Sequence, residues 1–300
     1  MKVAITGASG LIGRALARSL RADGHETVAL VRRQPNPGEV AWDPQRGTVD
    51  TAGLRDVDAV VHLAGEPIEA KPLTGAKRRR LRDSRVDGTR TVAEALASMD
   101  GGPRVLLAAS GSNYYGDRGD EVLTEASGPG TSGLLTEISR EWERAADPAR
   151  AAGVRVVAMR TGIVLDRRAT ILKVMGTLAR LGAAAPVGSG TQYWPWVSLA
   201  DTVGLYRHAL DTGEVTGALN LAGPAPVTNA EFTRTLAKVL HRPAFPVPVP
   251  RALPRLLLGR DLADTLLFTS TRLLPERALA TGYRFTHPTL EAALRAVYGR

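Results

Sequence analysis

The chain has 300 residues, of which 44% are hydrophobic and 5% aromatic, so it can bury a large core as one big domain or two smaller ones. It contains no cysteine, which excludes disulfides, thiolate chemistry and cysteine-ligated metals. No apolar run approaches the length of a membrane-spanning helix. The first strand begins at once, which leaves no room for a secretion signal and predicts a cytoplasmic protein.

The formal net charge is +9, and 34 of the 39 basic residues are arginine. This skew, with many alanines and glycines, indicates a compositional bias more than selection for a polyanion. The densest basic run, residues 77–82, has no interleaved aromatic residues and no nucleic-acid motif, so it predicts a solvated helix and makes nucleic acid an unfavoured partner. No His, Asp and Glu cluster has metal-ligand spacing, and we predict no metal.

The most informative segment is at the N-terminus, where residues 3–5 form an apolar strand pattern. Gly7, Gly10 and Gly13 follow, and Leu16 and Leu20 then continue an apolar helix face. A glycine turn between a buried strand and an amphipathic helix is typical of a dinucleotide site. The helix start would offer free N–H groups to a diphosphate. The alternative is a generic strand-to-helix turn, which the complete context disfavours.

The end of the next predicted strand indicates which cofactor binds. Residues 27–31 lead into Arg32 and Arg33, where an NAD site usually places an acidic residue for the ribose hydroxyls. Two arginines favour a 2′-phosphate instead. We therefore predict NADP(H), with solvated strand-end charges as the alternative.

Strand and helix patterns alternate along the first part of the chain. Strands are predicted at 3–5, 27–31, 59–63, 105–109 and 154–159, with helices at 88–97, 134–146, 200–210 and 229–240. This alternation predicts an α/β fold, a Rossmann-type doubly wound parallel sheet. Ligands would bind at the carboxyl ends of the strands, where Gly65, Ser110 and residues 160–162 fall.

After about residue 180 the pattern loosens into a smaller C-terminal α/β lobe on the substrate side. We predict an NADP-binding domain at 1–180 and the lobe at 181–300, with part of 200–225 returning to the first domain. The lobe is predicted to contain an aromatic loop at 188–196, a proline-rich extended stretch at 244–254 and a final helix from Pro288. Thr228 or Asn229 is predicted to cap the helix at 229–240.

Several motifs together resemble the extended short-chain dehydrogenase/reductases: 6–13 (TGASGLIG), 62–65 (HLAG), 86–90 (VDGTR) and 114–117 (YYGD). Others are similar to the epimerase-family subgroup that carries a C-terminal domain of unknown function: 42–44 (WDP), 84–86 (SRV), 140–143 (REWE), 160–165 (RTGIVL) and 226–229 (PVTN). The resemblance covers essentially the whole chain. It implies a Rossmann-type NADP site, a substrate lobe and no established substrate, and it leaves a homodimer open.

With the glycine pattern and the two arginines, the resemblance predicts one set of cofactor-binding residues: Thr6, Gly7, Ser9, Gly10, Leu11, Ile12, Gly13, Arg32, Arg33, Leu63, Ala64, Gly65, Arg160, Thr161 and Gly162.

The usual catalytic pair of the superfamily is missing. Its members use a tyrosine and a lysine four residues later, but no tyrosine of this chain has a lysine at that spacing. Leu134 and Ile138 stand at the matching positions and cannot transfer a proton. Ser110, Tyr114 and Tyr115 are the candidate replacements. The alternative for Ser110 is a hydrogen bond to nearby backbone, and the alternative for each tyrosine, on even terms, is packing in the core.

Four residues are candidates for substrate contact. Gln192, Trp194 and Trp196 would suit a ring-bearing or apolar ligand, but tryptophans at this position could equally pack the lobe. Glu137 is a candidate acid or base if it is buried, and a solvent-facing helix residue otherwise.

Two functions remain open. The first is an NADP-dependent oxidoreductase or epimerase on an unknown small carbonyl or hydroxyl substrate, with a substituted acid or base. The second is an NADPH-binding sensor or regulator without turnover, which the missing Tyr–Lys pair favours.

Overall fold

The computed structural model describes residues 1–69 and 71–299. Its strands, in chain order, are β1 (Lys2–Thr6), β2 (Glu26–Val31), β3 (Glu39–Asp43), β4 (Thr48–Val49), β5 (Ala59–His62), β6 (Val105–Gly111), β7 (Val122–Leu123), β8 (Arg155–Thr161), β9 (Ile163–Leu165), β10 (Tyr193–Trp194), β11 (Trp196–Ser198), β12 (Gly217–Leu221), β13 (Val227–Thr228) and β14 (Arg272–Leu273).

The helices are α1 (Leu11–Ala22), α2 (Gly75–Ala97), α3 (Leu134–Arg144), α4 (Asp147–Ala151), α5 (Thr170–Arg180), α6 (Leu199–Asp211), α7 (Asn229–Val239), α8 (Ala252–Leu258), α9 (Arg260–Ala263), α10 (Glu276–Ala280) and α11 (Leu290–Tyr298). Short 3₁₀ turns occupy Ala52–Leu54 and Ser112–Tyr115, and a π-helical turn occupies Asp264–Phe268.

The central sheet has eight strands in the order β12-β8-β6-β5-β1-β2-β3-β4, and every pairing in it is parallel except β3 with β4. The chain moves outward from β1 to β2 in one direction and from β5 to β6 in the other. The order therefore reverses between β1 and β5. A crevice at such a reversal, outside the carboxyl ends of the strands, is where this fold binds its ligand. The predicted fold class is confirmed.

Successive residues of each strand point to opposite faces of the sheet, and each face has its own core. Ile5 and Leu107 pack with α1 and α6, whereas Val60 and Leu106 pack with α2 and α4. Because helices cover both faces of the sheet, the sequences of its strands are continuous apolar runs.

The C-terminal lobe has a third core, to which α5, α7 and α11 contribute with Trp194 and Trp196. Helix α6 and strand β12 belong to the central sheet body instead. The domain limits at 180 and 181 stay a prediction.

The predicted helices and strands are present, with several differences. The loop predicted at 188–196 contains β10 and the first residue of β11, and the final helix predicted from Pro288 begins at Leu290. Helix α5 and strand β12 were not predicted. The basic run at 77–82 lies in the first turns of α2, a longer helix than the predicted 88–97. β3 was not predicted because its five residues mix charged and apolar side chains. The stretch at 244–254, predicted to be extended, runs into helix α8 from Ala252. Of the two predicted caps, Thr228 is the residue that caps α7, and it forms a capping box with Glu231.

Candidate functional site

The turn between β1 and α1 depends on two glycines. Gly7 has φ of +66°, a backbone conformation that side chains disfavour. At Gly13 a Cβ would lie 2.4 Å from the carbonyl oxygen of Gly7, so the helix could not approach the turn with any larger residue. Among the described residues, no side chain caps α1 at Gly10, and its first N–H groups stay available to an anion.

The rest of the predicted glycine segment lies around this helix start. Ser9 and Gly10 are exposed, and Leu11 and Ile12 are half-buried in the first turn of α1. The Ser9 carbonyl accepts a hydrogen bond of 2.8 Å from the Arg14 guanidinium. The exposed part of this segment is therefore formed by Ser9 and Gly10.

The loop after β5 is fastened to the same turn. The Thr6 hydroxyl accepts hydrogen bonds from the backbone N–H groups of Leu63 (3.0 Å) and Ala64 (3.1 Å). A Cβ at Gly7 would contact Ala64 at 3.0 Å. The structure thus brings Thr6, the glycine turn and residues 63–65 together at the point where the strand order reverses.

Arg32 and Arg33 are both exposed, but only one of them has an intramolecular partner among the described residues. Arg33 forms a two-pronged ion pair with Glu39, at 2.8 and 2.7 Å, and also donates to the Gln34 carbonyl. This hydrogen bonding raises the pKa of Arg33 and lowers that of Glu39. Arg32, directly after β2, has no hydrogen-bond or ion-pair partner within the described part of the chain, so its guanidinium is available to a ligand.

Ser110 and Arg160 are paired across neighbouring strands and belong to one buried polar network. The Ser110 hydroxyl donates to Glu143 at 2.7 Å, and Arg160 donates to both oxygens of that carboxylate at 2.8 and 2.9 Å. Burial alone would lower the pKa of Arg160, but the hydrogen bonds and charge of Glu143 outweigh it and raise the pKa.

Tyr115 extends this network. Its hydroxyl accepts from Arg160 at 2.8 Å and donates to Asn220 at 2.7 Å, and its side chain is fully buried. Burial raises its pKa to about 12. Ser110, Arg160 and Tyr115 are therefore fully engaged inside the protein.

Tyr114 is placed differently from its neighbour. It is half-buried, and the Arg160 guanidinium lies over its ring at 3.6 Å from the ring centre. This cation–π contact fixes the ring orientation. Of the three candidate catalytic side chains, Tyr114 is the one with surface left for a ligand.

Strand β8 ends at Thr161, whose hydroxyl donates to the Met159 carbonyl. Gly162 follows where a Cβ would lie 2.4 Å from the Pro195 carbonyl. Both are half-buried at the carboxyl edge of the sheet.

Helix α3 presents no catalytic group at the positions where the superfamily carries one. Leu134 is half-buried and Ile138 is buried, and they match the tyrosine and lysine positions. Glu137 is exposed on the first turn.

Gln192, Trp194 and Trp196 are buried in the C-terminal lobe. The Gln192 amide and the Trp194 indole both donate to the Leu267 carbonyl, and the Trp196 indole donates to the Ala225 carbonyl. Their side-chain N–H groups are thus satisfied by the lobe's own backbone carbonyls, an arrangement typical of packing residues.

The sequence analysis assigned no role to a cluster just beyond Gly65. Glu66 binds Lys77 at 2.6 Å, and this contact lowers the pKa of Glu66. Arg85 donates to the Glu66 and Leu81 carbonyls, and burial lowers its pKa to about 10. Arg85 and Glu143 lie in two of the motifs that carry the family resemblance, at 84–86 and 140–143. Those motifs were the signal from which both residues could have been predicted to matter.

Residues 1–69 and 71–299 contain no group of three or more His, Asp or Glu side chains arranged to hold a metal. In the same residues, none of the helices combines the length and apolar character needed to cross a bilayer.

The reversed strand order, the glycine turn and the uncapped helix start define a Rossmann-fold dinucleotide-binding protein. The chain belongs to the NAD dependent epimerase/dehydratase family, whose model matches residues 3–222. A second model, a domain of unknown function (DUF1731), matches residues 249–297. The resemblance found in the sequence motifs is confirmed.

Similar proteins match over nearly the whole chain. An epimerase family protein of Mycobacterium bovis is 41% identical over 97% of this chain and 96% of its own. The human epimerase family protein SDR39U1 is 37% identical over 99% of both chains. The crystal structure of human SDR39U1 with NADPH matches with a TM-score of 0.90, 34% identity and full coverage of both chains. A UDP-glucose 4-epimerase from Thermus thermophilus with NAD, 18% identical with a TM-score of 0.74, shares the fold.

Proposed function

We propose that this protein binds NADP(H) and uses it as an oxidoreductase or epimerase on a small carbonyl or hydroxyl compound. The observation that carries the proposal is the Arg32 guanidinium, which has no partner among the described residues and follows β2, the strand next to β1 and its glycine turn. The family membership and the NADPH in the human relative's structure support the same cofactor.

The described residues fit such a cofactor. The free N–H groups in the first turn of α1, after Gly10, would bind the diphosphate, and Arg32 would bind the 2′-phosphate. The backbone of 63–65 and of 161–162 would line the path across the strand ends. When bound, the cofactor gives or takes a hydride at its nicotinamide.

For proton transfer we propose Tyr114, with Ser110 and Tyr115 acting through it. Ser110 and Tyr115 hold Glu143 and Arg160 in place, and Arg160 holds the Tyr114 ring. In this proposal the buried network positions the tyrosine, and Tyr114 contacts the substrate.

The alternative is NADPH binding without turnover. It is favoured by Leu134 and Ile138 at the positions of the missing pair, and by the complete internal hydrogen bonding of Ser110 and Tyr115. Substrate roles for Glu137, Gln192, Trp194 and Trp196 are not needed by either proposal.

Titration with NADPH and with NADH, followed by tryptophan quenching, tests the cofactor. We expect tighter NADPH binding, and we expect Arg32→Ala to weaken it by about 10- to 100-fold because charge-assisted bonds to a phosphate contribute about 1.5–3 kcal/mol. NADH affinity should not change. Arg33→Ala is the matched control and should have a smaller effect, because Glu39 already binds that guanidinium. Equal NADPH and NADH affinities in the wild type would refute the assignment.

A screen of carbonyl compounds for NADPH oxidation then separates the two functions. If turnover is found, we expect Tyr114→Phe to reduce kcat by about 10²- to 10⁴-fold, the usual contribution of a positioned acid. Undiminished turnover in that variant would exclude Tyr114. Tight NADPH binding with no turnover on any compound would favour the sensor.

A further inference from the structure

A cavity of about 450 Å³ opens on the flank of the central sheet, apart from the glycine turn. Its floor is formed by β8 and the edge strand β12, where Ala158, Gly217 and Ala218 carry small side chains. One wall comes from the end of α3 and from α4. We call it the lateral cavity. Its volume is within the range that small-molecule sites occupy.

Charged side chains dominate the walls of the lateral cavity, with five arginines facing three carboxylates. Two of the carboxylates already have arginine partners. Glu143 is bound by Arg160 at 2.8 Å, and Asp147 is bound by Arg150 at 2.5 Å. Neither is available to neutralise another cation.

The third carboxylate, Glu125, and the arginine Arg277 form hydrogen bonds with backbone groups at the exposed edge of the sheet. Glu125 accepts from the backbone N–H groups of Asn220 (2.9 Å) and Arg277 (3.2 Å). The Arg277 guanidinium donates to the carbonyls of Thr216 and Ala218. Together they satisfy the unpaired backbone of β12, as edge strands require.

Two arginines are left over. Arg140 and Arg144 lie four residues apart on α3, so their side chains share one helix face, where like charges destabilise a helix. Within residues 1–69 and 71–299, neither guanidinium has an ion-pair partner. The neighbouring Glu141 does not serve, because Arg82 binds it at 2.6 Å. The cavity therefore keeps an excess of two positive charges beside a floor of small residues.

We propose that the lateral cavity is a binding site for a small anion carrying a phosphoryl group, held by Arg140 and Arg144. The planar guanidinium fork matches phosphate oxygens, and an anion would relieve the repulsion between the two arginines. No residue of the glycine turn lines this site. Arg160 and Tyr114 do line it, so a bound anion would lie next to the tyrosine that we propose for proton transfer.

Calorimetric titration with inorganic pyrophosphate tests the proposal, carried out with saturating NADPH so that the glycine turn is occupied. We expect one saturable site in the wild type. In the double variant Arg140→Gln/Arg144→Gln we expect binding at least about tenfold weaker, since two charge-assisted contacts are lost. Arg55→Gln/Arg234→Gln is the matched control: both residues are exposed, lie elsewhere, and change the net charge equally.

Absence of saturable heat up to about 10 mM pyrophosphate, the range of the weakest specific sites, would overturn the proposal. So would equal affinity in wild type and the α3 double variant, or equal weakening in the control pair, which would indicate a diffuse charge effect. Should the double variant unfold, Arg144→Gln alone replaces it, because Arg144 is exposed, and is expected to weaken binding severalfold. If NADPH does not bind, the titration is run without it and the variant comparison decides.

Discussion

His62 shows how a single residue is held neutral by its surroundings. Because the Thr6 hydroxyl accepts two backbone N–H groups, its own proton goes to Nδ1 of His62, at 2.9 Å. This assigns the ring proton to Nε2, which is buried and has no hydrogen-bond partner among the described residues. The Trp42 ring stands against the imidazole at 87°. Burial lowers the pKa of His62 to about 4.

The lowered pKa of His62 predicts an acid sensitivity. In the unfolded chain this imidazole ionises near pH 6.5, so between about pH 6.5 and 4 the unfolded state binds a proton that the folded state does not. The free energy of unfolding should therefore fall by about 3 kcal/mol across that window on account of this group. Urea unfolding at several pH values should show a shallower fall in His62→Asn.

The control for this experiment is His241→Asn. His241 is exposed and has φ of +54°, a conformation that asparagine tolerates. It should keep the wild-type pH dependence. If His62→Asn also keeps it, burial of the imidazole is not what makes the fold sensitive to acid.

At the scale of elements, β1, the glycine turn and α1 act as one unit. The Gly10 N–H donates to the Gly7 carbonyl at 2.9 Å, and the oxygen of that same carbonyl lies only 2.4 Å from where a Cβ at Gly13 would be. The helix start can therefore face a ligand only while residue 13 has no side chain. Two requirements, close packing and an open N-terminus, are met by one glycine.

Gly13→Ala should separate α1 from the turn. The atoms nearest to the new Cβ belong to the backbone and cannot shift without disturbing the turn. We therefore expect the free energy of unfolding to fall by about 1–3 kcal/mol. We also expect NADPH affinity to fall by at least about tenfold, because the N–H groups shift from the diphosphate. Thermal unfolding and the NADPH titration measure both effects. Gly128→Ala, where a Cβ meets open space, should leave both unchanged.

At the scale of the whole molecule, one carboxylate joins the last segment of the chain to the sheet body. Asp201 in α6 is buried and accepts from the backbone N–H groups of Thr286 (2.7 Å) and His287 (3.1 Å). It also accepts from the hydroxyls of Ser198 and Tyr283. Helix α11 follows directly and completes the core of the C-terminal lobe.

Asp201→Asn should loosen this attachment. The amide NH₂ group would replace one acceptor oxygen and would point at N–H and O–H groups that need an acceptor. We expect a loss of about 2–3 kcal/mol, the cost of buried N–H groups left without partners. Hydrogen exchange should become faster in residues 283–298 and much less so in β1 and β5. Asp211→Asn, at the exposed end of the same helix, is the control. If the exchange rate rose equally over the whole chain, Asp201 would not be a specific attachment of the last segment.

How much of the molecule could be predicted depends on how local the signal is. The glycine turn, the parallel strands and the capped start of α7 follow from residues a few positions apart, and each was predicted. Strand β3 was missed because it has only five residues, and two of them, Glu39 and Asp43, are charged.

Nothing in the order of residues distinguishes Arg32 from Arg33. The two differ because β3 places Glu39 beside Arg33 and leaves Arg32 without a partner among the described residues. The same holds for Tyr114 and Tyr115, which are adjacent in the chain. The 3₁₀ turn directs one to the surface and the other toward Asn220, 105 residues away.

The sequence by itself determined the fold class, the position of the nucleotide turn and the absence of the usual Tyr–Lys pair, because these depend on periodicity and on residue identity at short spacing. Only the tertiary structure decided which charges are paired, that the tryptophans at 194 and 196 pack inside the lobe, and that Arg140 and Arg144 are left beside a cavity. Those outcomes depend on which strands become neighbours, and the sheet order brings together residues that lie far apart along the chain.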